Sequence, residues 1–517
     1  MTSFFTAAPR YCSRFGAAVL LVVLADFLFY GQPAGITVFL FAILIAGAVV
    51  AVHPAAFSDG RVWLRPGALF VALLPLVENV SPLSVSIALV AMAIFALSLA
   101  GRLRDRIARI AGQVALFLLA APFRFIRDFI RWRKAARRIG QRRIRFATFA
   151  VWVMPLTLGA VFLALFGAAN PVIEYWLSLI DLIKLLDLIQ FARIAFWLFM
   201  LASVWVFLRP RLPRFPRRIA RLKPDLAAVQ PTANPDKRVV EDVLFGKAAI
   251  LRALIVFNIL FAVQTGLDAV YLWGGIALPD GLTYAVYAHR GAYPLIVTAL
   301  LAAGFVLAAL RPDSATSADP LIRRLVYAWV AQNIMLVISS ILRLDLYIGV
   351  YALTYWRIAA FVWMGLVAAG LALIIARIAL GKSNAWLLSA NLLTLSATLY
   401  TCCFINFAAT IANYNVDHSL EMTGQGTPLD ASYLRALGPA AFPAFDRFLD
   451  HQSRTAAAND PALRDLTGVR GSDERWYRTI QQNWRVWSFR DWRLLAYLDR
   501  RGPVVIPSVS EPYLPGR

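Results

Sequence analysis

Residues 258–294 read NILFAVQTGLDAVYLWGGIALPDGLTYAVYAHRGAYP. The stretch opens as an apolar helix carrying three polar side chains, Asn258, Gln264 and Asp268. A loop built on Pro279, Asp280 and Gly281 follows. A polar-aromatic run comes next, with Tyr284, Tyr287, His289, Arg290 and Tyr293, before another apolar helix begins. Acid, imidazole and guanidinium groups crowded between two apolar helices are costly to bury, so the stretch is a candidate site.

Working outward, the chain reads as a polytopic α-helical membrane protein. A soluble globular chain carries roughly 25% charged residues. This one, of 517 residues, has 16% charged and 60% hydrophobic residues, with a mean hydropathy of +0.65. Many apolar runs reach the roughly 17–25 residues that a helix needs to span a bilayer. A transmembrane barrel would instead need alternating strands of about 10 residues, and no such pattern occurs. Eleven spans are predicted, near 15–31, 34–52, 67–80, 82–100, 149–168, 192–208, 248–273, 292–310, 322–342, 351–379 and 384–412. The run 114–123 is too short to cross.

These spans divide the chain into an N-terminal six-span unit (1–208), a Pro/Arg-rich linker (209–247), a five-span unit (248–416) and a Trp-rich tail (417–517). Repeated proline in the linker favours extended backbone. Trp476, Trp484, Trp487 and Trp492 argue that the tail folds, as a small cap or as a helical hairpin resting on the membrane face, with helices near 432–437 and 441–449. Glu174, Ser178, Asp181, Lys184, Asp187 and Gln190 form a helical polar stripe, marking an amphipathic segment over 172–191.

The net charge of +23 is concentrated in a few loops. Between Gly101 and Phe146 fourteen Arg or Lys residues face only Asp105 and Asp128. Arg124, Arg127, Asp128 and Arg131 share one helical face, with Phe125, Ile126, Phe129 and Ile130 on the other. This basic amphipathic segment (101–148) suits anionic lipid headgroups. Nucleic acid as a partner would require a folded basic domain or a stacking platform, and none is visible. The positive-inside rule puts the N-terminus in the cytoplasm, and eleven spans put the C-terminus outside. The expected location is a bacterial cytoplasmic (inner) membrane.

Polar groups inside spans are the candidate functional residues. Gln264 and Asp268 are four residues apart on one helical face, with His289 and Arg290 in the loop beyond. An Asp–His pair is suited to moving a proton, and Asp268 with Arg290 is equally suited to a structural ion pair; both readings stay open. Arg290, Arg343 and Arg357 place three guanidinium groups at the outer side of one unit. Asp268 and Asp345 supply only two acids, so an anionic ligand is a candidate third partner. The ligand-binding set is therefore Gln264, Asp268, Tyr287, His289, Arg290, Arg343, Asp345 and Arg357. Asn258, Gln332, Asn333, Asn391 and Asn406 are intramembrane polar groups suited to hydrogen bonds between helices.

No phosphate loop, zinc-protease, nucleophile-elbow or paired C-x-x-C motif occurs. Cys12, Cys402 and Cys403 lack metal-ligand spacing, so neither cofactor nor metal is expected.

The motif Tyr287–Ala288–His289–Arg290–Gly291, with LRALIVFNILFAVQTGLDAVYLWGG, AWVAQNIMLVISSILRLDLYIGVYALTYWRIAAFVWMGL, INFAATIANYNV and YLRALGPAAFPAF, resembles a bacterial membrane family known only as a domain of unknown function. The resemblance covers roughly 245–500. It implies a multi-span membrane protein and carries over no activity and no catalytic residue. Three readings follow. The first is binding, transport or sensing of an anionic or proton-coupled ligand. The second is a membrane-embedded enzyme acting on a lipid-linked or envelope substrate. The third is a scaffold for an envelope or signalling complex.

Overall fold

The structure, a computed structural model, describes residues 7–53, 64–101, 103, 107–138, 146–169, 190–211, 247–273, 319–455 and 460–502, with single positions at 297, 301 and 304. Every regular element among them is helical. Among the described residues, five helices are long and apolar enough to cross a membrane: Pro82–Leu99, Phe191–Leu208, Lys247–Tyr271, Pro320–Tyr351 and Tyr355–Ala379. The bent pair Asn384–Cys402 and Phe407–Asp417 passes the same test only when its two helices are taken together. The expected span 292–310, the polar stripe before Gln190 and nearly all of the linker lie outside the described residues.

The chain groups into two compact units: 1–73, 88–104 and 110–213 form one, and 74–87, 105–109 and 214–517 the other. The first unit contains α1 (Ala7–Phe29), α2 (Ile36–Val52), most of α3 (Leu64–Glu78) and of α4 (Pro82–Leu99), α5 (Ile107–Leu119), α6 (Ala121–Arg138), α7 (Phe146–Ala169) and α8 (Phe191–Leu208). On α1 the buried residues Ala18, Leu21, Ala25 and Leu28 follow the i, i+3, i+7 spacing of one helical face. Asp26 on α1 accepts from Arg193 Nε at 2.8 Å and from Trp197 Nε1 at 2.8 Å, which ties α1 to α8.

The two faces of α6 have different surroundings. Arg124 and Asp128 are buried, while Phe123, Ile126 and Ile130 are exposed. Asp128 pairs with Arg209 at 3.1 Å, and Arg124 lies 4.4 Å over the Phe117 ring. Part of the polar face is thus held by the protein. The exposed apolar face suits the acyl boundary of a membrane surface.

In the second unit, α9 (Lys247–Asp268) runs into a π-helical turn (Ala269–Trp273). It packs with α10 (Pro320–Tyr351), α11 (Tyr355–Ala379) and α12 (Asn384–Cys402) around Leu254, Ile322, Trp329 and Leu371. Phe257 stacks on Trp329 at 5.5 Å. Helix α10 starts at Asp319, whose carboxylate accepts from Leu321 N at 2.8 Å and pairs with Lys247 at 2.5 Å; Pro320 fits the first turn, where no amide donor is missed.

The run 384–412, expected as one long span or as a span with a surface extension, forms two helices. Helix α12 ends at Cys402, α13 (Phe407–Asp417) departs at 67°, and Asn406 caps α13 by accepting from Ala409 N at 3.2 Å. The tail folds as a helical cap of α14 (Leu420–Thr423), α15 (Ala431–Ala436), α16 (Phe442–Thr455), α17 (Pro461–Gln481) and α18 (Phe489–Arg501). Its apolar core joins Ile411 and Val416 of α13 to Leu434, Phe445 and Phe448, and it reaches Ile348 and Leu353. A buried charge cluster fastens the cap. Arg470 bonds Asp446 at 3.0 Å and Glu474 at 2.9 Å, and the Tyr497 hydroxyl donates to Asp446 at 2.9 Å.

Candidate functional site

The polar residues of the second unit fall into two places. The first lies within the bundle. Asp268, fully buried at the end of α9, is paired with Arg343 of α10, which is also buried. Gln264, one turn earlier, donates to Asp268 at 3.1 Å. A buried pair of this kind costs desolvation to form, but losing one partner costs about 3–5 kcal/mol, because the other charge is stranded. The cluster therefore fixes the register of α9 against α10. Tyr287, His289 and Arg290 lie outside the described residues.

The amides work mostly on their own helices. Asn333, Asn391 and Asn258 donate to carbonyls four residues earlier, at 2.8, 2.9 and 2.7 Å. Asn258 also reaches the Leu325 carbonyl on α10, at 3.1 Å. Asn391 marks a close helix approach: a methyl group added at Gly370 would sit 3.1 Å from its Oδ1. Gln332 is half-buried on α10, and Asn406 serves as the helix cap already described.

The second place is the turn 351–354 between α10 and α11, beside the cap. Arg357 donates to the carbonyls of Tyr351, at 2.5 Å, and Ala352, and lies 4.7 Å over the Tyr347 ring. Asp345 is exposed on α10 near Tyr414. An acid or an anion had been the expected partner for Arg357. Among the described residues its cation is instead met by two carbonyl dipoles and a π face, because the turn aims its backbone oxygens at the guanidinium.

Ala352 itself has φ 64° and ψ 174°, a conformation adopted essentially by glycine alone. The neighbours over-determine it. Asn415 of α13 accepts from Leu353 N at 2.6 Å and donates to Leu353 O at 3.0 Å. Thr427 donates to the Val350 carbonyl at 3.1 Å.

This strained turn forms one wall of a cleft of about 680 Å³. Tyr351, Tyr414, Asn415, His418, Gln425 and Tyr433 also line it. The His418 ring stacks on Tyr414 at 4.1 Å, and its Nδ1 lies 2.9 Å from the Tyr414 carbonyl. Aromatic faces, amides, hydroxyls, one imidazole and the Asp430 carboxylate, which accepts from Tyr433 N at 2.9 Å, converge here, with Arg357 bonded to the wall. That combination is suited to orienting a small polar molecule. Sequence reasoning missed Ala352, Asn415 and His418. Alanine gives no sign of an unusual backbone, and Asn415 finds its partner 62 residues away.

The family model described as "Domain of unknown function (DUF4153)" matches residues 66–448, and the chain belongs to this family. The match reaches much further toward the N-terminus than the resemblance read from the sequence. It ends at 448, short of the C-terminal limit near 500 of that resemblance. No curated protein and no solved structure matches the chain. Family and helices together define a membrane protein of this family, with many apolar helices.

Proposed function

We propose that the chain is a multi-span inner-membrane binding protein that takes up a small anionic ligand in the 351–354 cleft, to transport or sense it. The observation that carries the reading is the strained turn at Ala352, held from both sides at the wall of a polar-aromatic cleft. Strain of about 1–3 kcal/mol persists where neighbours enforce it, and it clusters at ligand clamps. Arg357 is the cation bonded to the cleft wall, and the His418 imidazole lines the cleft as a hydrogen-bonding group. The Asp268–Arg343–Gln264 cluster fixes the helix pair on which the turn is built.

The test is thermal unfolding of the purified protein with inorganic phosphate, sulfate, citrate or a neutral disaccharide. One or more anions should raise the midpoint in the wild type, and His418→Ala and Gln425→Ala should reduce the shift. No shift with any anion, or equal shifts in both variants, refutes the reading. A scaffold reading is favoured by the exposed Trp476, Trp484 and Trp492 on the cap. It predicts a protein partner that protects those indoles from quenching in the native membrane.

A further inference from the structure

A second cleft, of about 810 Å³, opens where the cap meets the membrane helices of the same unit. Its depth is set by where spans begin and end. Pro82 starts α4, Tyr355 starts α11 and Cys402 ends α12, and all three line the cleft. Coinciding span ends mark the boundary between hydrocarbon and headgroups. Exposed aromatic residues agree with that depth. Tyr355, Trp356, Phe404, Phe489 and Trp492 all present large exposed surfaces, as side chains do in the interfacial belt of membrane proteins. Phe489 and Trp492 stack with ring centroids 5.5 Å apart.

The cleft also holds two cations. Arg490 and Arg493 of α18 both point at Glu78, a buried carboxylate, with Arg490 Nε at 3.3 Å. Arg490 further donates to the carbonyls of Cys403, at 3.2 Å, and Ile405, at 3.3 Å, the residues freed by the break between α12 and α13. Arg490 is thereby consumed in holding the broken span. Arg493 is not. It is half-exposed, meets the same single oxygen of Glu78 and stacks 4.9 Å over Phe489. A guanidinium has five N–H donors, so several of its donors remain for a further acceptor.

Asp491 lines the cleft as well, but its carboxylate accepts the Ser488 hydroxyl at 2.6 Å and the Tyr477 hydroxyl at 3.0 Å. Two arginines against Glu78 and Asp491 leave no net charge to draw in a soluble multivalent anion. What remains is a planar donor for a phosphate, beside apolar walls from Pro82, Leu83, Pro439 and Leu494, at headgroup depth.

We propose that this cleft binds the phosphate diester of a phospholipid headgroup. Arg493 donates to the phosphate, and the glycerol and first acyl carbons lie on the apolar and aromatic rim. The site is separate from the 351–354 cleft and does not depend on the ligand read there. Arginine suits the role because its fork matches phosphate oxygens.

The test is native mass spectrometry of the full-length, delipidated protein titrated with dioleoylphosphatidylglycerol or dioleoylphosphatidylethanolamine. Inorganic phosphate and glycerol 3-phosphate serve as soluble competitors. The wild type should retain one lipid that Arg493→Ala binds about tenfold more weakly. Ala440→Phe, which fills the cleft and leaves both ion pairs intact, should lose it too. Arg447→Ala, whose guanidinium pairs with Asp417 elsewhere on the cap at 2.8 Å, should behave as wild type. Should Arg493→Ala not fold, Ala440→Phe decides alone. Equal lipid retention in the cleft variants overturns the proposal. Displacement of lipid by glycerol 3-phosphate at equal concentration also overturns it, and assigns the site to a soluble phosphoester.

Discussion

Ala352 is the residue whose conformation its own side chain opposes. Glycine would adopt φ 64°, ψ 174° without the Cβ clash, so Ala352→Gly is expected to stabilise the protein, by about 1 kcal/mol or more. The check is a higher midpoint of thermal unfolding, and an unchanged or lower midpoint shows that the turn is not strained. The Tyr477 hydroxyl gives a pH dependence. Burial, then the charge of Asp491 and the hydrogen bond to it, push this phenol above its ordinary range. A raised folded pKa favours the protonated state. Its stabilisation is whole below the unfolded phenol pKa of about 10, and it is lost as pH climbs from there toward the folded value. Tyr477→Phe should flatten the alkaline fall in stability, measured by unfolding midpoints from pH 8 to 11. At this scale the sequence marked Asp268, Gln264 and Arg343 as unusual because charges stand out in apolar runs. It did not show that Asp268 meets Arg343, 75 residues away. Nor did it show that Arg357 is satisfied by carbonyls, since that depends on the path of a four-residue turn.

Helix existence was legible wherever apolar runs were long, and boundaries fell within a few residues for α2, α4 and α8. The run 384–412 was not legible as two elements. Residues 403–406, Cys-Phe-Ile-Asn, contain neither proline nor glycine. The break is held from outside by Arg490, which takes the freed carbonyls, and locally by Asn406, which caps α13. Asn406→Ala should therefore cost about 1 kcal/mol, the usual loss of an N-cap. It should also increase hydrogen exchange in the first turn of α13, while the amides in the middle of α12 stay protected. Uniform loss of protection through both helices would mean that α12 and α13 behave as one span. The orientation of α6 was hidden for a related reason. Its periodicity defines two faces, but contacts with Phe117 of α5, Trp205 of α8 and Arg209 just past α8 decide which face turns inward.

At the scale of the whole molecule, the charge distribution predicts an orientation without the full span count. One end of the second unit carries Lys247, Arg323, Arg324, Arg377 and Lys382, against Asp319. The other carries the turn 351–354, bound to α13 through Asn415, and the cap. If α12 crosses the membrane, Lys382 and the cap are expected on opposite sides of it. The positive-inside rule then predicts a cytoplasmic basic end, because Lys and Arg in short loops resist translocation. The same rule predicts that the cap, with both clefts, faces outward. Alkaline phosphatase, active only outside the cytoplasm, should be active when fused after Arg501 and silent when inserted at Lys382. A cytoplasm-active fluorescent protein should give the opposite pattern. Activity at both positions would deny that α12 crosses. The reverse pattern would place both clefts in the cytoplasm and direct the search for their ligands there.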